Sequence, residues 1–245
     1  MTLSAQNRVL ITRPIHDAYE TAALLKNHEI DSLITPLLTI NHNFRAEIDL
    51  SGVQAILVTS LNGSRALASA ISSREIPIFA VGDASAKIAK KDGFSVVSSA
   101  NGSIKDLTEL IRQELQPDKG TIVHACGSNV AGNLVGDLIH EGYKIISSTL
   151  YEVKEVSTLP DAAYSALLND SITNILFYSP LSASLFSKLI KESKLEQNCH
   201  NISAYCLSSN VASALSIKFA NVIVAPKPNQ ASLISLFVNS YIRTL

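Results

Sequence analysis

Apolar runs alternate with segments of helical periodicity along the chain. The runs are rich in β-branched and aromatic residues, as strands are, and they cover 8–12, 55–60, 76–81, 121–126, 174–179, 202–207 and 221–225. The helical segments that follow them cover 17–28, 62–72, 84–92, 130–141, 181–193, 210–218 and 230–242. This alternation predicts an α/β fold whose parallel sheets are covered by helices on both faces.

The pattern occurs twice in the sequence. "ILVTSLNGSRAL" at 56–67 resembles "ILFYSPLSASLF" 119 residues later, and "FAVGDASA" at 79–86 resembles "YCLSSNVA" 126 residues later. "ANGSIKDLTELI" likewise resembles "PKPNQASLISLF", and the stretch 9–40 has a weaker counterpart at 122–153. These matches predict two copies of one α/β unit. The turn-like stretch 116–120 offers the simplest division, but the first segment of each copy could also pack with the other copy.

Composition and charge narrow the classes of function. The chain has 245 residues, 47% of them hydrophobic, which suffices for one large domain or two domains. Lys and Arg number 20 and Asp and Glu 21, without a block of like charges, so no nucleic-acid tract or basic membrane helix is indicated. No leader and no membrane span of about 18 apolar residues is apparent, and we expect a cytoplasmic protein. Cys126, Cys199 and Cys206 follow no metal-ligand spacing and are expected to be free, buried thiols.

Small and hydroxyl-bearing residues follow the predicted strands. In parallel sheets the carboxyl ends of the strands face ligands, and the helix N-termini there present free amide groups. Each junction alone could be an ordinary helix cap, whereas several junctions on one cleft would form anion pockets without a basic patch. The junctions are Thr12-Arg13-Pro14, Thr59-Ser60, Gly82-Asp83, Gly127-Ser128, Ser179-Pro180 and Ser208-Ser209-Asn210.

Familiar motifs for cofactors and hydrolysis are missing. The sequence has no G-x-G-x-x-G, and "GSNVAGNL" at 127–134 has Asn133 and Leu134 where a P-loop needs Lys and Ser or Thr. It has no G-x-S-x-G, and His124 in an apolar run is expected to be structural. The other histidines have no ligand spacing, so we expect neither a metal nor an organic cofactor.

Several motifs follow one another along nearly the whole chain: "VLITRP", "ILVTSLNGSRAL", "FAVGDASAKIAKKDGF", "CGSNVAGNLVGDLIHEGYKI", "TLYEV", "ILFYSPLSASLF" and the A-x-A-L of 212–215. In their order and spacing they resemble the uroporphyrinogen-III synthase family. The resemblance implies two similar, flavodoxin- or Rossmann-like domains with a cleft between them. One domain would comprise 1–36 and 157–245 and the other 44–149, with 37–43 and 150–156 as linker strands.

The resemblance also implies a reaction. Hydroxymethylbilane, a linear tetrapyrrole with eight carboxylates, would lose water and close to uroporphyrinogen III with inversion of its last ring. Positioning of this reactive substrate would then be the main task of the enzyme. We expect a monomer, with at most transient contact to hydroxymethylbilane synthase.

Site residues follow from the same resemblance. The family's conserved tyrosine falls on Tyr151, its serines fall on Ser60 and Ser179, and the V-G-x-x-[ST]-A turn places Ser85 at its hydroxyl position. The remaining substrate-binding positions come from the junctions after the predicted strands, and they are Arg13, Thr59, Gly82, Asp83, Gly127, Ser128, Ser208, Ser209 and Asn210. The chain departs from the family at 208–211, where a glycine and paired threonines are usual, and it lacks the basic residue that often follows the C-G-N motif.

The alternative interpretation of the sequence is a binding protein without catalytic activity. A cytoplasmic two-domain protein that closes on a small anionic ligand would need the same helix N-termini and no catalytic tyrosine. Such proteins are usually exported, and the N-terminal sequence shows no signal peptide. Product formation from hydroxymethylbilane would distinguish an enzyme from a binder.

Overall fold

The computed structural model describes residues 8–42, 47–100, 102–128 and 134–242. The strands are β1 (Arg8–Ile11), β2 (Ser32–Ile34), β3 (Leu38–His42), β4 (Val53–Val58), β5 (Ile78–Ala80), β6 (Val97–Ser99), β7 (Thr121–Gly127), β8 (Lys144–Glu155), β9 (Ile172–Phe177), β10 (Ser203–Cys206) and β11 (Asn221–Val224). The α-helices are α1 (Ile15–Lys26), α2 (Leu61–Ala70), α3 (Asp83–Lys91), α4 (Ile104–Glu114), α5 (Leu134–His140), α6 (Asp161–Leu168), α7 (Pro180–Glu192), α8 (Ser209–Ser213) and α9 (Gln230–Ile242). A 3-10 helix covers Gln197–Asn201.

The strands form two sheets, which confirms the predicted α/β class. One sheet has the order β11-β10-β9-β1-β2 and the other the order β3-β8-β7-β4-β5-β6. Strands from β4 to β8 pair in parallel, as do the strands of the first sheet. Their centres are almost continuously apolar because helices cover both faces of each sheet.

The chain divides into two compact units. The terminal unit takes in the chain up to Thr39 and from Lys154 onward, and the central unit spans Ile40–Val153. The turn at 116–120 lies inside the central unit, so the simplest division of the sequence is not the division of the fold. The assignment of 37–43 and 150–156 as linker strands stays a prediction.

The two sheets repeat one strand order with their first strands exchanged. The series β8-β7-β4-β5-β6 corresponds to β2-β1-β9-β10-β11 when the strands are matched by the sequence repeat. β1, the first strand of copy one, pairs with β9 of copy two, and β7 pairs with β4. The two pairs also have the same register. Ile11 lies opposite Leu176 and His124 lies opposite Leu57, and these two leucines are equivalent positions of the sequence repeat.

Each unit has its own apolar core. In the central unit, helix α2 packs Ala66 and Leu67 against Ile56 and Val58 of β4. In the terminal unit, Phe237 of α9 packs edge-to-face on Tyr205 of β10, with ring centroids 5.0 Å apart. Such pairs add about 0.5–1.5 kcal/mol beyond their area burial. The cysteines are free and buried, as predicted.

Helix α8 is shorter than the predicted helix at 210–218. It ends at Ser213, after which Leu215 N–H still donates to Ala212, at 3.1 Å. Ser216 N–H instead donates to Ser187 Oγ of α7, at 3.1 Å. A tertiary hydrogen bond therefore takes the place of the next helical one. The start of the helix predicted at 130–141 lies outside the described residues, and α5 begins at Leu134.

Among the described residues, no helix combines the length and the apolar composition of a membrane span.

Candidate active site

A hydrogen-bonded pair of hydroxyl groups lies at the carboxyl-terminal edge of the central sheet, on two strands that are separated by β7. Tyr151 Oη of β8 is 2.9 Å from Ser60 Oγ, which follows β4. Ser60 is the N-cap of α2 and its Oγ accepts a hydrogen bond from Gly63 N–H at 3.0 Å. The Tyr151 side chain packs in the apolar cluster of this unit and is 6% exposed, so the pair is held by both packing and capping.

Glycine makes room for the tyrosine ring. Gly127 ends β7 directly opposite Tyr151, and a Cβ atom built on Gly127 would lie 2.5 Å from the ring. A Cβ on Gly63 would lie 2.9 Å from the carbonyl oxygen of Ala125 and 3.3 Å from Ser60 Oγ. Both positions therefore need glycine for close approach.

An extra residue in β8 aims Tyr151 at this site. Cys126 pairs with Thr149, but the next residue, Gly127, pairs with Tyr151, so Leu150 has no partner in β7. Leu150 and Tyr151 are both buried although they are consecutive. Such a bulge interrupts the alternation of side chains and re-aims them. A strictly alternating strand would place Leu150 and Tyr151 on opposite faces and does not predict this bulge.

The Tyr151 phenol stays protonated at neutral pH. Burial in the apolar cluster raises its pKa above the usual value, and the hydrogen bond with Ser60 offsets only part of this rise. Two hydroxyl protons are present in the pair and one is used in the bond between the two oxygens. When Ser60 donates to Tyr151, the proton of Tyr151 is available to a ligand.

Neighbouring polar groups surround the pair. Ser128 N–H donates to the carbonyl oxygen of Tyr151 at 3.0 Å, and the Ser128 side chain is exposed. Thr59, half-buried before Ser60, has its Oγ 3.1 Å from His124 Nε2. The His42 ring lies 6.5 Å from that of Tyr151 between centroids. His42 was not predicted as a site residue, although it lies in the predicted linker strand 37–43, at the end of β3.

The turn after β5 brings three more predicted residues to the same sheet edge. Gly82 is the N-cap of α3 in extended conformation, and Asp83 in the first turn accepts a 2.7 Å hydrogen bond from Ser99 Oγ. Gly82 closely faces Gly102, whose Cα would lie 3.3 Å from an added Cβ. Ser85 is 4% exposed, so its side chain lies inside the fold.

Arg13 is engaged within the terminal unit. Its guanidinium donates to Thr21 Oγ at 3.0 Å and to Gln230 Oε1, and lies 3.4 Å from the Asp17 carboxylate. It also lies 3.9 Å above the Tyr178 ring, and Arg13 is 8% exposed. These contacts fix α1 and α9 near the end of β1; a role in anion binding stays a prediction.

The other predicted residues of the terminal unit lie at helix N-termini. Ser179 Oγ accepts from Ser182 N–H at 3.1 Å and Pro180 occupies the first position of α7, where the missing N–H costs nothing. This turn is the counterpart of Ser60 in the repeat. Ser208 caps α8 and accepts from Val211 N–H at 3.4 Å, while Ser209 and Asn210 are exposed.

The structure thus brings one group of predicted residues together by direct contact. Thr59, Ser60, Gly127, Ser128 and Tyr151 share the edge of the central sheet, where Gly82, Asp83 and Ser85 follow a neighbouring strand. Arg13, Ser179, Ser208, Ser209 and Asn210 belong to the terminal unit. Among the described residues, no group of three or more His, Cys, Asp or Glu side chains could hold a metal ion.

Comparison with known proteins gives one family and one fold. The family described as "Uroporphyrinogen-III synthase HemD" matches residues 19–235. No curated protein sequence matches the chain.

Solved structures match over nearly their whole length. A mutant uroporphyrinogen III synthase from the extremely thermophilic bacterium Thermus thermophilus is 18% identical, with a TM-score of 0.62 over 97% of this chain and 99% of that one. A uroporphyrinogen-III synthetase from Helicobacter pylori is 15% identical, with a TM-score of 0.61 over 96% and 99%. At these identities the likeness concerns the fold.

Proposed function

Because the chain belongs to the uroporphyrinogen-III synthase family, we propose that it cyclises hydroxymethylbilane to uroporphyrinogen III. The reaction inverts ring D and releases water, which would make the protein a lyase of tetrapyrrole (haem) biosynthesis. The family match over residues 19–235 carries the proposal. The hydroxyl pair of Tyr151 and Ser60 supports it, because a proton donor without a charge suits a substrate that carries much of its own reactivity.

Tyr151 would assist departure of the hydroxyl group. The carbon–oxygen bond of the hydroxymethyl group breaks as the pyrrole nitrogen lone pair pushes electrons toward that carbon, and the oxygen leaves as water after receiving a proton. Tyr151 O–H, oriented by Ser60, would donate a hydrogen bond to that oxygen. A ring carbon then forms the closing bond and returns a proton, so the net change is loss of one water.

Helix N-termini would hold the carboxylates. In the first turns of α2, α3 and α7, the amides of Gly63 and Ser182 donate to the cap serines, and the other amides have no acceptor within their own helix. Each helix end contributes about 0.3–1 kcal/mol toward an anion. Specific binding of a substrate with many carboxylates can therefore be assembled without a basic patch.

The product isomer tests the proposal. The purified protein is supplied with hydroxymethylbilane made enzymatically in the same vessel, and the uroporphyrins are separated after oxidation. We expect isomer III, because unassisted closure gives isomer I. Isomer I alone, at the rate of a blank, would exclude the proposed activity.

The binding-protein alternative predicts a different outcome of the same assay. A binder would be stabilised against heat by hydroxymethylbilane without forming isomer III. The family match favours the enzyme. We further propose that the protein acts in the cytoplasm, as a monomer without metal or organic cofactor, and contacts hydroxymethylbilane synthase only transiently.

A further inference from the structure

His124 is a buried polar residue in the core of β7. It is 0% exposed, and its Nε2 lies 3.1 Å from Thr59 Oγ. Nδ1 is buried without a hydrogen-bond partner among the described residues. A polar atom left unpaired in this way costs free energy, so the residue calls for an explanation other than packing.

The sequence repeat shows that the fold does not need a histidine there. His124 lies opposite Leu57 of β4, and the equivalent position in the terminal unit is Ile11, which lies opposite Leu176 of β9. Ile11 is fully buried and apolar. An aliphatic residue therefore fills the same place in the same strand order. The position equivalent to Thr59 is Tyr178. The terminal unit therefore has neither the histidine nor the threonine at the equivalent positions.

The surroundings select one arrangement of protons on the ring. Burial lowers the pKa of His124, so the ring is neutral and carries one N–H. With the proton on Nδ1, a buried donor would have no acceptor, which is rarer in proteins than an acceptor left without a donor. With the proton on Nε2, the N–H donates to Thr59 Oγ and only a lone pair remains unpaired.

We propose that His124 is a positioning residue whose Nε2–H donates to Thr59 Oγ and so turns the Thr59 hydroxyl proton toward a substrate carboxylate. The identity of that ligand rests on the proposed function. An oxygen that accepts a hydrogen bond is also a better donor, because chained hydrogen bonds polarise one another. Thr59 Oγ has no other partner among the described residues, and the side chain is half-buried at the strand end beside Ser60.

Variants at His124 and Thr59 test the proposal together. His124→Phe keeps a ring in the core and removes the donor, and we expect KM for hydroxymethylbilane to rise about tenfold with kcat within about twofold, as for one lost hydrogen bond to a charged group. His124→Gln places an amide N–H near the position of Nε2 and should restore most of the affinity. In a Thr59→Val background, His124→Phe should have no further effect on KM.

The position of the ring proton provides a second readout in the unaltered protein. Long-range ¹H–¹⁵N correlation spectra distinguish a protonated Nε2 from a protonated Nδ1, and we expect the proton on Nε2. A proton on Nδ1, an unchanged KM in His124→Phe, or an equal rise of KM in the Thr59→Val background would each overturn the proposal. If the parent protein forms only isomer I, the proposed function fails, whereas the ring proton still tests the His124–Thr59 arrangement.

Discussion

At the scale of single residues, the candidate site depends on a close approach of backbone and aromatic ring. Tyr151 and Ser60 were predicted as site residues from the family resemblance, and their 2.9 Å contact could not be read from spacing because they lie 91 residues apart. The bulge at Leu150, which aims the ring, depends on the pairing of β7 with β8. Sequence patterns describe one strand at a time and miss such register shifts.

Gly127→Ala should displace the tyrosine. The added Cβ would lie 2.5 Å from the Tyr151 ring, so the ring or β7 must move. We expect a loss of about 1–3 kcal/mol in the free energy of unfolding, as for other overpacked sites, and a clear fall in kcat. Denaturant unfolding and initial rates measure the two effects. Ser147→Ala, at an exposed position of β8, is the control and should change neither; a Gly127→Ala variant with parent stability would contradict the tight contact.

The pH dependence of kcat should show no loss of activity between about pH 7 and 9. The active form of Tyr151 is the protonated phenol, and burial raises its pKa above the usual value of about 10. Activity that depends on this proton is therefore complete below that value and falls only as the pH rises through it. A decline centred below pH 9 that is present in the parent and absent in Tyr151→Phe would contradict the assignment.

At the scale of elements, most strands and helices followed from periodicity, although the predicted helices did not include α4 and α6. α2, α7 and α9 lie within two residues of their predicted ends. β2 and β6 have only three residues and are half-buried, so they leave little periodic signal. α8 was predicted too long because its continuation depends on Ser187 of another helix.

Substitutions at the helix caps distinguish an effect on stability from an effect on activity. Ser60→Ala and Ser179→Ala each remove a side-chain acceptor at an N-cap, and each should cost about 1 kcal/mol of unfolding free energy. Ser60→Ala should also slow turnover, because it removes the partner of Tyr151. Ser103→Ala, which removes the cap of α4, is the matched control with a similar stability loss at parent activity. Equal rates for Ser60→Ala and Ser103→Ala would show that Ser60 acts only as a cap.

At the scale of the whole molecule, the duplication was visible in the sequence but the exchange of first strands was not. The hydrophobic pattern is the same whether β1 pairs with a strand of its own copy or with a strand of the other copy. The difference lies in which chain segments meet, and β1 pairs with β9 across 164 residues of sequence, as in the contact of Thr12 Oγ with Leu176 O. The family resemblance supplied this information, whereas periodicity could not.

The cooperative unfolding of two fragments tests the exchanged strand order. A fragment of residues 40–153 contains β4 to β8 and should fold cooperatively by itself, whereas a fragment of residues 1–118, cut at the turn, has β1 without β9 and β4 without β7. Circular dichroism during heating measures this. The result expected is a sigmoidal transition for 40–153 and none for 1–118, since the second fragment leaves central strands unpaired. A cooperative transition for 1–118 alone would contradict the strand order.

The most direct test of proton donation by Tyr151 is the rate at which Tyr151→Phe forms isomer III. The substitution removes the phenol oxygen and keeps the ring, so packing against Gly127 is retained while the hydrogen bond to Ser60 is lost. Assistance by a positioned proton donor is worth about 10²- to 10⁴-fold in general, and the reactivity of the substrate places this case near or below the lower end. We expect turnover more than tenfold slower, with a smaller effect for Ser60→Ala, and an unfolding free energy within about 1 kcal/mol of the parent. Turnover at the parent rate would show that the phenol is structural and contradict the account.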